Sequence, residues 1–205
     1  SASSAAVAGT VVVLVLDETT HARIGSRSIV PAESTVNHPG VTVRASDTTD
    51  VVAVAGSLAL SGGSAGVGAG VNVHTINKTT QAAIESGTTV MADGNVVVEA
   101  VSAEDVKSFS VAAAAASSAG VTVSADVHVL NLQTRAFIGD DPDDGVPNAG
   151  LTSVRAEGSV LVQAISDTET DLIVGGVAVG GSAGVGAAAG VAVMDKLTEA
   201  FIGNG

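Results

Sequence analysis

A block of 21 residues occurs four times in this chain without an insertion or a deletion. The copies lie at Ser4–Ile24, Ser64–Ile84, Ser118–Ile138 and Ser182–Ile202. A chain that repeats at a long period forms stacked units, and each unit buries its apolar surface only against its neighbours. We therefore expect residues 1–205 to be one repeat array cut from a longer protein, with blocks that start near residues 4, 64, 118 and 182.

The start of each block has the alternation of a β-strand. In SAGVGAGVNVHTINKTTQAAI, the second copy, Val67, Ala69, Val71 and Val73 alternate with smaller or polar residues. This period of two predicts a strand, and glycine between the apolar positions predicts one that is covered on both faces. Ala112–Ala116 also suits a helix, because alanine is the best helix former. The flanking valine, serine and glycine and the alignment with the other copies favour a strand there.

The middle and the end of each block hold polar columns. The first column carries aspartate or asparagine, and the second carries threonine three residues later: Asp17, Asn77, Asn131, Asp195; Thr20, Thr80, Thr134, Thr198. Asparagine and aspartate tolerate tight backbone conformations, so a bend followed by a second short strand such as Thr134–Ile138 is one interpretation. In the other, stacked copies form ladders of identical side chains. We favour ladders, because a block of constant length cannot slip without breaking its register.

The segments between the blocks vary in length and carry all four prolines, Pro31, Pro39, Pro142 and Pro147. Proline cannot donate a hydrogen bond to a strand ladder, so these connectors should be loops on one side of a solenoid. Turn signals recur just before or at the start of the later blocks, at Gly62–Ser64, Ser117–Gly120 and Gly180–Ser182.

These patterns predict an all-β protein, a parallel β-solenoid built from repeats of about 60 residues. Two coil sizes fit. In a wide coil, one repeat makes one turn, and two long strand layers pack face to face; in a narrow β-helix, one repeat makes three coils of about 20 residues each. We find no internal repeat near 20 residues, so we predict wide coils.

Composition excludes several function classes. The net charge is −13 with only eight lysines and arginines, which disfavours nucleic acid and membrane insertion or adsorption. The glycine, serine and asparagine residues within 62–77 also interrupt any membrane-spanning helix. Phe109, Phe137 and Phe201 are the only aromatic residues, although ligand pockets usually rely on aromatic side chains. Without cysteine there is no disulfide or thiolate site.

Two groups of residues are candidates for metal binding. Asp140, Asp141, Asp143 and Asp144 form an oxygen-rich cluster that suits a structural Ca²⁺, although the EF-hand spacing is absent and a solvated acidic loop is the simpler interpretation. His74 and His128 occupy the same block position and could bind a metal as a stacked pair. The other two copies hold Leu14 and Ala192 there, which favours a packing or surface role.

Catalysis has little basis in the sequence. No G-x-S-x-G motif follows a strand and opens a helix. Some carboxylates and basic residues could be grouped into a site, namely Glu99, Asp105 and Lys107, or Arg135 with Asp126. Nothing distinguishes them from the charged residues that any solvent-exposed strand face carries. We therefore predict that the chain is not an enzyme and has no catalytic or cofactor-binding residues.

The phrase GGSAGVGAAAGVAV at Gly180–Val193, followed by TEAFIG at Thr198–Gly203, returns with variations at Gly62–Glu85, Ser117–Gly139 and Ser3–Gly25. It resembles the repetitive regions of very large bacterial secreted adhesins, the filamentous-haemagglutinin-like and leukotoxin-like filamentous surface proteins. The resemblance covers essentially the whole chain but is repetitive and compositional. It implies a β-solenoid stalk at the cell surface or in an extracellular biofilm matrix, with adhesion or scaffolding as its role.

On this interpretation the partners are neighbouring repeats or copies of the chain, joined end to end or laterally, together with host or matrix surface polymers. The alternative function is a carbohydrate-binding or polysaccharide-degrading β-helix. The lack of tryptophan and tyrosine speaks against that alternative, because sugar-binding surfaces usually stack sugar rings on aromatic side chains.

Overall fold

The computed structural model describes residues 4–31, 39–141 and 150–203, which form ten β-strands. In chain order the strands are β1 Ala5–Ile24, β2 Ile29–Val30, β3 Val41–Leu60, β4 Ala65–Glu85, β5 Thr89–Ala92, β6 Val96–Ala116, β7 Ala119–Gly139, β8 Ser153–Ala156, β9 Val160–Gly180 and β10 Ala183–Ile202. All strand pairs are parallel. Among the described residues, no helix is long and apolar enough to cross a membrane.

The strands form three sheets. We call β1-β4-β7-β10 the front sheet, β3-β6-β9 the back sheet and β2-β5-β8 the short sheet. The chain runs along the front sheet, crosses through the short sheet and returns along the back sheet. One repeat therefore makes one turn of a parallel β-solenoid, as the wide-coil prediction requires. The first coil is β1–β3, the second β4–β6 and the third β7–β9, and β10 begins a fourth.

The constant block is the front strand, and its four copies stack without a slip in register. Ala5 pairs with Ala65, Ala119 and then Ala183, and the columns continue to the isoleucines at the end of each copy. The long strands have 20 or 21 residues, whereas strands in globular proteins usually have 3–10. The unbroken register permits this length, because each residue of the inner front strands has a partner in the strand on either side.

Two sequence interpretations are corrected. The strands run unbroken through Asp17, Asn77, Asn131 and Asp195, so there is no bend and Thr134–Ile138 is the end of a long strand. The connectors are also more than loops, because each contributes a strand to the short sheet. The chain turns between the back and front strands at residues 61–64, 117–118 and 181–182, where the glycine and serine signals predicted turns.

The space between the front and back sheets changes in character along the strands. Next to the short sheet it holds an apolar cluster around Ile84, Val90 and Val98. A second apolar cluster, around Ile76, Val106 and Leu130, lies further along. Polar side chains separate and follow these clusters. In the last part, where the front strands begin, glycine, alanine and serine face each other and the sheets approach closely.

Gly68 shows how close that approach is. A Cβ atom added there would lie 2.8 Å from the carbonyl oxygen of Ala113 in the back sheet, and backbone cannot move aside as a flexible side chain can. The many small residues of the block therefore set the sheet separation in this thin half, where the space opposite Gly68 has no room for a larger side chain.

Replacing Gly68 with alanine should destabilise the protein by about 1–3 kcal/mol, because the added methyl group overpacks the space between the sheets. The measurement is urea unfolding followed by circular dichroism. Gly175→Ala is the control, since a Cβ at Gly175 meets nothing within 4 Å; it should be neutral or slightly stabilising. Equal losses for both variants would contradict close sheet packing as the cause.

Candidate functional site

The first candidate functional feature is the open strand edge at each end of the stack of coils. Within the described residues, β1 and β3 of the first coil pair on one side only, as do β10 of the front sheet and β9 of the back sheet. Unpaired backbone donors and acceptors along a straight strand are a template for another strand. With strands of about 20 residues at about 3.3 Å per residue, each edge is about 65 Å long. These edges can accept another coil.

A ladder of amides crosses the front sheet and ends in a carboxylate on both sides. Asn131 Nδ2 donates to Asn77 Oδ1 at 2.7 Å, and Asn77 Nδ2 donates to Asp17 Oδ1 at 2.5 Å. Asp195 follows Asn131 on the opposite edge. The predicted asparagine ladder is therefore confirmed. The threonine column instead points between the sheets, where Thr20 Oγ1 donates to Asp47 at 3.0 Å.

The thin half of the solenoid is also apolar on its outer faces. On the front sheet Val7 is 79% exposed and Val13 64%; on the back sheet Val54 and Leu58 are exposed to a similar extent. Large exposed apolar patches on soluble proteins are usually interaction sites. The two outer faces of the thin half are therefore candidates for lateral contact.

A charged cluster lies buried between the sheets. Lys78 Nζ lies 2.9 Å from Asp47 Oδ1, 3.2 Å from Glu104 Oε1 and 2.7 Å from Thr49 Oγ1. The Lys78 side chain is 1% exposed. Since the three charged residues come from β3, β4 and β6, the cluster ties the first coil to the second and the front sheet to the back sheet.

A polar square occupies the inner face of β4 and β7. We use this name for Asn72, His74, Asp126 and His128, which are fully buried. Asn72 is the register partner of Asp126, and His74 is the register partner of His128. His74 Nδ1 lies 2.9 Å from His128 Nε2, which lies 3.3 Å from Asp126 Oδ1. Asn72 Nδ2 donates to the carbonyl oxygen of Phe109 in the back sheet at 3.0 Å.

Both histidines of the polar square favour the neutral state. Burial lowers the pKa of His74 below its ordinary value of 6.5, against the opposing effect of the Asp126 carboxylate. The pKa of His128 is lowered for the same reason, with a further lowering by His74. At neutral pH the square therefore contains two neutral imidazole rings beside the carboxyl group of Asp126.

The acidic connector is described only in part. Asp143 and Asp144 lie outside the described residues. Asp141 Oδ2 accepts hydrogen bonds from Arg135 Nη1 at 2.8 Å and from Gln81 Nε2 at 3.3 Å. Its carboxylate is thus neutralised by a neighbouring arginine, and calcium binding by the four aspartates stays a prediction.

The residues considered for catalysis do not form one site, and Glu99 pairs with Arg44 at 3.1 Å. Arg135 pairs with Asp141 and Glu199, whereas Asp126 points between the sheets. Asp105 and Lys107 form an ion pair that is about one-third exposed.

Sequence reasoning missed the charged cluster. Glu18, Lys78, Leu132 and Lys196 share one column, and such a mixture of charge and leucine resembles a surface position. The alternation of the strand was the available signal, because Lys78 shares its parity with Ile76 and Ile84. A lysine on the apolar side of a strand needs a buried carboxylate, and Asp47 and Glu104 supply it.

Comparison of the chain with known protein families, with curated proteins and with solved structures gives no match in any of the three.

Proposed function

We propose that this chain is a structural and adhesive segment of an extracellular bacterial fibre or surface adhesin, and that its coils extend the fibre by stacking at their open edges. The observation that supports the proposal is the gapless register of the front sheet, in which β1 and β10, the outer strands among the described residues, each have one open edge. The extracellular location rests on the resemblance of the repeated phrase to secreted bacterial adhesins.

The two edges of the front sheet match when one copy is placed on the next in the register that the chain already uses. The back sheet has three strands against four, so at this junction a gap of one strand separates β9 of one copy from β3 of the other. β10 of one copy would pair with β1 of the other, so that Ile202 meets Ile24 and Thr198 meets Thr20. Lys196 would meet Glu18, since both belong to the Lys78 column. In the free chain, Lys196 Nζ donates only to uncharged oxygens among the described residues, those of Ser166 and Thr168. The junction would supply the carboxylate that this cation lacks.

One column opposes this stacking. Asp195 would face Asp17 at the end of the amide ladder, and like charges directly opposite each other destabilise a strand pair. The inner coils avoid this repulsion because they carry Asn77 and Asn131. The repulsion between the carboxylates of Asp17 and Asp195 should therefore weaken the stacking of copies.

Replacing Asp17 and Asp195 with asparagine should strengthen end-to-end association by about two- to five-fold, because the repulsion disappears and the amide ladder can continue. The gain should be largest at low ionic strength, where exposed charges are least screened. Sedimentation velocity over a range of concentrations gives the association constant, and electron microscopy shows whether the assemblies are stacks.

The matched control is Asp93→Asn with Asp105→Asn, which changes the net charge equally but in the middle coil. If this control associates as strongly as Asp17→Asn with Asp195→Asn, general charge reduction is responsible. Lys196→Glu should weaken association, because it places a carboxylate against Glu18. If wild type and all variants remain monomeric at high concentration, self-stacking is wrong.

A further inference from the structure

The polar square is incompletely satisfied by the protein. His74 Nε2, His128 Nδ1, Asp126 Oδ1 and Asn72 Oδ1 are buried and have no hydrogen-bond partner among the described residues. Buried polar atoms are nearly always hydrogen-bonded, so four such atoms in one group require an explanation.

No choice of tautomer removes the deficit. The 2.9 Å contact between His74 Nδ1 and His128 Nε2 requires a proton on one of these two nitrogens. In neutral rings, one of the two outer nitrogens then carries a buried N–H and the other a buried lone pair, and both outer nitrogens lack a partner. The hydrogen bond between the rings therefore satisfies only half of their polar atoms.

The carboxyl group of the square has no cation beside it. Asp126 is fully buried, and an ionised carboxylate without a cation is costly in such a place. The buried cation Lys78 is already engaged with Asp47 and Glu104, and the base nearest to Asp126 is the imidazole of His128. The square lacks a positive charge.

The spacing of the donors suits a small metal ion. One ligand atom from each of His74, Asp126 and His128 lies within 4.8 Å of the other two. His74 Nδ1 lies 2.9 Å from His128 Nε2, which lies 3.3 Å from Asp126 Oδ1. An ion held by these three atoms would replace the hydrogen bond between the rings and leave His74 Nε2 and His128 Nδ1 as N–H groups. Around a tetrahedral zinc ion, ligand atoms lie about 3.4 Å from one another, given metal–ligand distances of about 2.0–2.2 Å. Asn72 Oδ1 provides a further buried oxygen in the same group.

Apolar residues close the square on both sides along the stack. Val12 and Leu14 occupy its columns in β1, and Gly190 and Ala192 occupy them in β10. Gly190 and Ala192 are exposed, so on the β10 side the square is covered by a single outer strand. The donors are thus confined to the second and third coils.

We propose that His74, Asp126 and His128 bind one divalent transition-metal ion of the zinc class, which joins the second coil to the third. Two imidazole nitrogens and a carboxylate oxygen are the donors that zinc prefers when cysteine is absent. The role is structural, because the ion would lie between two sheets that bury its ligands. It would enter while the coils assemble, before the sheets close over it.

The test is to unfold the full chain in the presence of a chelator, remove the chelator, and refold it with Zn²⁺ or Co²⁺. After desalting, we expect about one ion per chain by elemental analysis and visible absorption bands of four-coordinate Co²⁺. At a free concentration of about one hundred times Kd, Zn²⁺ should raise Tm by about 5–10 °C. Ca²⁺ and Mg²⁺ should leave Tm unchanged, since they prefer oxygen ligands.

The chain provides its own control substitutions. His74→Leu with His128→Ala installs the residues found at Leu14 and Ala192 in the same column, so this variant should fold and retain no metal. His21→Ala removes an exposed histidine of β1 and should leave one ion per chain. Asp126→Asn keeps the shape of the side chain and should weaken retention.

Two results would overturn the proposal. One is wild-type protein that refolds with Zn²⁺ or Co²⁺ and retains no ion. The other is equal retention by wild type and by His74→Leu with His128→Ala. The Co²⁺ spectrum of the wild type remains informative if the double variant does not fold, since a spectrum typical of hydrated Co²⁺ would exclude the imidazole ligands.

Discussion

Replacing Lys78 with leucine should lower the free energy of unfolding by about 3–5 kcal/mol, even though Leu132 occupies the same column one coil later. The loss arises because Asp47 and Glu104 remain buried without their cation, at 4% and 0% side-chain exposure. The measurement is urea denaturation followed by circular dichroism, with the midpoint and the slope compared between variant and wild type. Since long solenoids can unfold in steps, a second probe should test whether one transition is seen.

The loss should be largely reversed by removing the two carboxylates as well. The column of Asp47 holds Ser102 and Ser166, and the column of Glu104 holds Thr49 and Thr168. The variant with Lys78→Leu, Asp47→Ser and Glu104→Thr therefore uses only residues that the chain accepts in those columns. Buried ion pairs replaced as a unit are often neutral or stabilising. A loss below about 1 kcal/mol for the single variant, or no recovery in the triple variant, would contradict the buried ion cluster.

Replacing Ile84 with alanine should cost about 2–5 kcal/mol, because the side chain is fully buried in the apolar cluster beside the short sheet. The same substitution at Ile202 should cost less than about 1 kcal/mol, since this residue is 69% exposed in the outermost front strand. Both residues end the same 21-residue block, so their positions in the strand are matched. Chemical denaturation of the two variants measures the difference.

This pair of variants tests the stacking order itself. A solenoid buries a column in its inner coils and leaves the terminal members partly open. Similar losses at Ile84 and Ile202 would mean that another strand or segment covers the outer strand in solution. Dilution would then show whether that segment belongs to a second copy or to the same chain. A loss at Ile202 alone that becomes smaller on dilution would point to stacked copies.

Much of the fold follows from the sequence for simple reasons. The spacing of Thr20 and Ile24 is the same in all four copies of the block. Parallel stacking of the blocks therefore pairs each residue with its equivalent in the next copy. The alternation at Val67–Val73 sets the strand, and the absence of a shorter repeat sets one coil per repeat. The short sheet was missed because two to four residues, such as Ile29–Val30, carry too little periodicity to identify a strand.

The interior chemistry could not be predicted in the same way. A repeat specifies which residues stack along the solenoid, but it does not specify which residue of the back sheet faces a given residue of the front sheet. That pairing depends on where the chain turns and on the sheet separation. From the sequence alone, Lys78 is therefore an isolated charge. Only the structure shows that Asp47 and Glu104 lie opposite it. His74 and His128 differ from Leu14 and Ala192, and the difference gains meaning only when Asp126 is placed beside them.

The wide coil has a consequence for how far such a chain can reach. Each repeat of about 60 residues raises the stack by one strand spacing, about 4.8 Å, whereas an α-helix advances about 1.5 Å for every residue. A stack 1,000 Å high would need about 200 coils, on the order of 12,000 residues. To project far from a surface, a fibre of this architecture therefore needs either an exceptionally long polypeptide or the addition of separate molecules. Each coil, in turn, exposes a sheet face about 65 Å wide, the length of its strands.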